Sequence, residues 1–99
     1  APEGSPQSVY GYNISSTSLK IEWGETLSPN GIITNYAVKY WETSGGVLNS
    51  VEILTNSTMK TWTISRLKIF TKYTFVVRSF NIFGVGPWSA EYTGSTGEG

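Results

Sequence analysis

The feature that most constrains this chain is a hydrophobic period of two residues, interrupted at short intervals by turn signals. From Ser18 to Trp23 the pattern is strict, with Leu19, Ile21 and Trp23 on one side and Lys20 and Glu22 on the other. Successive side chains of a strand point to opposite faces, so this alternation describes a sheet with one buried face. Residues 35–40 repeat it with Tyr36, Val38 and Tyr40, and residues 61–66 with Trp62 and Ile64. The run from Tyr73 to Asn81 is the longest and is rich in β-branched and aromatic residues. Turns are signalled at Ser28-Pro29-Asn30-Gly31, Ser44-Gly45-Gly46, Asn56-Ser57-Thr58 and Gly84-Val85-Gly86-Pro87. Adding Val9-Tyr10, the run from Val47 to Leu54 and the run from Ser89 to Thr93 brings the expectation to seven short strands, and no segment carries helix caps. Seven alternating strands in a chain of this length predict an all-β, two-sheet sandwich.

A chain of 99 residues holds one such domain. The domain is expected over 7–96, with linkers at 1–6, which carries Pro2 and Pro6, and at 97–99 in a Gly-rich tail. Four Trp, six Tyr and four Phe supply the core, since each such side chain buries about 150–250 Å². Cysteine and histidine are both absent and every acid is a glutamate, which excludes disulfides, Cys/His metal sites and a Ser-His-Asp triad. No catalytic role, metal or cofactor is expected. The net charge is zero, which argues against a nucleic-acid partner. No apolar run reaches the ~20 residues of a membrane helix, so no membrane contact is expected of this domain. The opening residues lack a signal-peptide pattern. That fits either a segment of a longer, processed protein or a chain that is soluble as it stands.

Several residues in order resemble the fibronectin type III family, across nearly the whole chain. They are Pro2 and Pro6 before the first strand, Trp23, and Pro29-Asn30-Gly31 followed by Ile33 and Tyr36. Leu67 then stands six residues before Tyr73, and the match closes on Asn81, Gly84, Gly86, Pro87, Trp88 and Ser89. The resemblance implies a seven-stranded immunoglobulin-like sandwich with Trp23, Tyr36, Leu67 and Tyr73 as structural core. It also implies a tyrosine corner, with the Tyr73 hydroxyl bonded to backbone a few residues upstream. The expected role is a non-catalytic spacer and protein–protein interaction module, one repeat of a cell-surface adhesion or signalling receptor, on the extracellular side of the plasma membrane. Its partners would be other proteins, neighbouring repeats of the same chain included. A ligand-recognition module of cytokine-receptor type and an accessory repeat of an intracellular scaffold or secreted enzyme are the alternatives.

Three sets of residues are candidate sites. Alternation places Trp41, Val76, Arg78 and Phe80 on the outward face of one sheet, an apolar patch around a cation of the kind that binds proteins, unless flanking side chains cover it. Arg78 is positioned to stack on Trp88 or Trp41. Arg66, Lys68 and Lys72 bracket one turn and form a basic patch that a polyanion such as heparan sulfate would recognise. Asn13-Ile14-Ser15 and Asn56-Ser57-Thr58 are N-glycosylation patterns at Asn13 and Asn56. The loop from Asn81 to Trp88 lacks an Arg-Gly-Asp tripeptide, and its apolar residues Phe83 and Val85 are expected to pack on their own domain.

Overall fold

Two antiparallel sheets face each other in the computed structural model, which describes residues 1–97. The last two residues of the expected C-terminal linker, 98 and 99, lie outside the described residues. The smaller sheet has the order β1 (Tyr10–Ser15), β2 (Ser18–Glu22), β5 (Thr61–Ile64). The larger has β4 (Val51–Leu54), β3 (Asn35–Glu42) and β6 (Lys72–Asn81) in line, and β6 then pairs with both β7 (Gly84–Val85) and β8 (Tyr92–Ser95). These last two are one interrupted strand, so the described residues form seven strands, as expected.

The interruption is a one-residue shift in register after Gly86, which brings Ser89 rather than Trp88 opposite Val77. Across the gap Gly86 N–H still donates to Ser79 O and Ser89 N–H to Val77 O. The returning Val77 N–H finds the Ser89 hydroxyl at 3.0 Å instead of a carbonyl. A side chain thereby completes the ladder where backbone cannot. The turn expected at Gly84-Val85-Gly86-Pro87 accordingly sits earlier, at Ile82-Phe83, and β8 begins later than the expected Ser89.

Inward residues of both sheets form the core: Leu19, Ile21, Trp23 and Ile64 from one side, Tyr36, Val38, Tyr73, Phe75 and Val77 from the other. Trp23 and Tyr36 meet edge to face at 5.2 Å between ring centroids. Burying each large apolar side chain contributes roughly 1.5–3 kcal/mol. Leu67 closes one end, and Lys68 N–H donates to Tyr73 Oη at 2.9 Å, the tyrosine corner. The same corner is tied from the other side by Thr96, which is buried. Its hydroxyl donates to Lys68 O and accepts from Thr71 N–H.

Three segments differ from the sequence-based expectation. Residues 1–6, expected as a linker, lie along the domain: Pro2 and Pro6 are buried, Glu3 N–H donates to Ser28 O, and Pro6 bridges Thr26. Gly86 makes room for this, because a Cβ there would stand 2.9 Å from the Pro2 side chain. The first strand reaches Ser15, and it turns Tyr10, Tyr12 and Ile14 to solvent, which inverts the usual polarity. The run from Val47 to Leu54 forms a strand only from Val51. Its first half follows Gly46, whose φ of 76° sharply redirects the chain, and curls into a 3-10 turn at Val47–Asn49 held by Ser50 N–H to Val47 O.

Candidate functional site

The outward face of the larger sheet is built by the register of β3 on β6, which sets Lys39 opposite Val76, Ala37 opposite Arg78 and Trp41 opposite Thr74. Trp41, Val76, Arg78 and Phe80 do share this face, yet they do not form an open patch. Trp41 is only 9% exposed and Val76 5%. Trp88, from the irregular segment between β7 and β8, has two cations close to its ring. Lys39 Nζ is 4.4 Å from its ring centroid and Arg78 Cζ 4.1 Å. Arg78 also reaches Glu52 at 3.0 Å and stands 5.8 Å from the Phe80 ring. Each close cation–π contact is worth about 0.5–1 kcal/mol at a partly exposed site. The sheet therefore covers its own apolar face with a Lys39–Trp88–Arg78 stack. Arg78 stacks on Trp88, one of its two expected partners, while Lys39 was not anticipated because its contact with the ring depends on how the segment after Pro87 folds.

Open apolar surface lies instead at the pole where the chain begins. Asn81, at the end of β6, is buried, and its amide donates to Pro29 O at 2.9 Å and Asn30 O at 3.2 Å while its oxygen accepts from Phe83 N–H at 2.9 Å. One side chain thus locks the β2–β3 loop to the β6–β7 turn. Three side chains stand out from this locked pair of loops: Ile32 at 86% exposure, Ile82 at 81% and Phe83 at 72%. Phe83 and Val85, expected to fold back, are both exposed. The turn has only two residues between paired strands, too short to carry Phe83 over the edge of the core. In the sequence Asn81 only ended the longest run; nothing in it showed that both carbonyls and the N–H would converge on its amide.

The other candidates are spread over the surface. Arg66 takes a left-handed backbone conformation at the tyrosine corner (φ 62°), Lys68 lies within that corner, and Lys72 opens β6. Glu42 lies among them: its carboxylate holds Lys68 Nζ at 2.9 Å, and this hydrogen bond raises the Lys68 pKa above its ordinary value. One of the three cations is thereby paired. Asn13 is exposed on β1, and Asn56 is exposed on the turn between β4 and β5. On the smaller sheet, Tyr10 and Tyr12 both donate to the Glu22 carboxylate, and these hydrogen bonds hold its pKa below the usual range. The spacing Tyr-Gly-Tyr was the available signal for that pair. Among the described residues no group of acids is placed to hold a metal ion.

Comparison with known proteins bears on what such a sandwich belongs to. Cell adhesion molecule DSCAM of Gallus gallus is 38% identical over 101 residues, covering 97% of this chain and 5% of that protein. Cell adhesion molecule DSCAML1 of Mus musculus is 33% identical, again covering 97% of this chain and 5% of the relative. The chain thus spans about one-twentieth of the length of these relatives. Among solved structures, the FN1–FN3 domains of chicken CNTN1 superpose with a TM-score of 0.86 at 23% identity, over 99% of this chain and 32% of that one, a likeness of fold. The family model of the fibronectin type III domain matches residues 4–95, and the chain belongs to that family.

Proposed function

We propose that this repeat is an extracellular spacer and adhesion module of a longer cell-surface protein, and that it contacts partner proteins through the pole formed by Ile32, Ile82 and Phe83. The relatives support the setting, since DSCAM and DSCAML1 are cell adhesion molecules many times its length. The pole itself carries the choice of surface. Three large apolar side chains are exposed together on loops that Asn81 holds in place. Apolar surface that is already rigid loses little entropy on binding. The outward sheet face has less to offer, because Trp41 and Val76 are covered and Arg78 is engaged with Trp88 and Glu52.

Multivalent display tests this reading. Beads carrying the chain in many copies bind cells that bear the partner, and avidity makes weak contacts visible. Ile32→Ser with Phe83→Ser is expected to abolish that binding, while Phe80→Thr on the sheet face leaves it intact. The reverse ranking places the contact on the sheet face. Beads that bind no cell type leave spacing as the role.

A further inference from the structure

We propose that Asn56 is an N-glycosylation acceptor and that Asn13, which has the same sequence pattern, is not stably occupied in the folded chain. The proposal rests on the extracellular reading, because only a chain that enters the secretory route meets the donor. The two sites share the Asn-x-Ser/Thr pattern, with Ser15 completing one and Thr58 the other, and they differ in geometry.

Asn56 stands on the turn between β4 and β5 with φ 52°, exposed, and the exposed Thr58 supplies the required hydroxyl. Neither side chain is hydrogen-bonded within the described residues. Their neighbours fix the turn instead. Thr55 is buried, accepts from Tyr36 N–H and donates to Ser57 O, while Ser57 Oγ accepts from Met59 N–H. Residues 55 and 57 hold the backbone, and residues 56 and 58 face solvent. A glycan on Asn56 would also stand two residues beyond Leu54, the exposed end of the open edge strand β4. Bulk beside a free sheet edge opposes pairing with other chains.

Asn13 is embedded. It pairs with Leu19 in β1, and its Nδ2 lies 3.4 Å from where a side chain on Gly97 would begin. The hydroxyl of its pattern, Ser15 Oγ, accepts from Thr17 N–H at 3.3 Å in the following turn. A sugar on that nitrogen would have to stand beside Gly97. Gly97 is in turn tied in by Phe70 N–H, beside the Thr96 contacts that pin the tyrosine corner.

The chemistry is a transfer from an oligosaccharide carried on a lipid pyrophosphate. The Asn56 amide nitrogen bonds to C1 of the first sugar as the C1–O bond to the pyrophosphate breaks. The lipid pyrophosphate leaves with the electron pair, and the nitrogen gives up one proton to base. No oxidant or reductant is involved.

The test expresses the chain behind a signal peptide in a eukaryotic host and measures the mass of the secreted, folded product. One glycan is expected on most molecules. Amidase release of the glycan should convert Asn56 to Asp and leave Asn13 as Asn. Thr58→Ala and Asn56→Gln should each abolish the modification, and Asn13→Gln should leave it unchanged. Thr58→Ala keeps the asparagine, so a folding defect specific to Asn56→Gln does not obscure the result. A secreted, folded chain without sugar at Asn56, or one occupied equally at both sites, overturns the proposal. Because the added signal peptide supplies the route, such a failure concerns the site, whereas the bead experiment tests the extracellular reading.

Discussion

The outward face of the larger sheet and the loop pole at the start of the chain contain similar materials, large apolar side chains beside polar anchors, and put them to opposite use. On the sheet the polar groups cover the apolar ones. Lys39 and Arg78 both stand over the Trp88 ring, and Val76, opposite Lys39 in the register, is 5% exposed. At the pole the polar group is inside. Asn81 is buried and hydrogen-bonds the two loops together, so the apolar residues are the ones left facing water. Aromatic content alone therefore does not locate a binding surface; what matters is which partner of each polar–apolar pair is buried.

The largest effect is expected from removing the internal anchor. Asn81→Ala leaves two carbonyls and an N–H without their partner, and a net loss of about 1 kcal/mol per buried hydrogen bond makes roughly 2–3 kcal/mol in all. Urea denaturation reads this directly, and a change within ~0.5 kcal/mol would show that the loops hold themselves. Next comes Trp88→Ala. Two cation–π contacts of about 0.5–1 kcal/mol each set its cost at roughly 1–2 kcal/mol. Equal cost in a Lys39→Ala background would mean that the stack is not one unit.

Phe83→Ser sharpens the contrast from the other side. A side chain exposed at 72% contributes little to folding, so the shift is expected within ~0.5 kcal/mol. A larger loss would mean that the pole is part of the core. The smallest effect is electrostatic and lies away from both regions. Glu22 has a lowered pKa in the folded chain, so its bonds to Tyr10 and Tyr12 stabilise above the unfolded carboxylate range and are lost as pH falls through the folded value. Tyr12→Phe should flatten the acid limb of the stability profile slightly; an unchanged limb would assign no role to the contact.

Much of the fold was legible because it depends on periodicity. Leu19, Ile21 and Trp23 alternate, and the structure buries all three. Tyr73 and Leu67 were legible through the family resemblance, and the corner does close through Lys68 N–H. What the chain concealed depends on contacts distant in sequence. Thr96 reads only as the last residue of the domain, with nothing in the sequence to show that its hydroxyl bonds Lys68 O and Thr71 N–H, more than twenty residues away. Pro2 and Pro6 likewise become buried only because the β2–β3 loop offers Ser28 O and Thr26 as partners. The cover over the outward sheet face was concealed for the same reason. Alternation gives the side of a sheet on which Trp41 and Val76 sit, but it does not show that a tryptophan from another segment will gather the neighbouring cations.

The most direct test of this division is footprinting of the free chain with hydroxyl radicals, each residue referred to its rate in the unfolded chain. Ile82 and Phe83 are expected to react nearly as fast as when unfolded, while Trp41 is strongly protected. Protection of Phe83 together with free reaction of Trp41 would contradict the account, because the sheet face would then be the open surface and the pole the closed one.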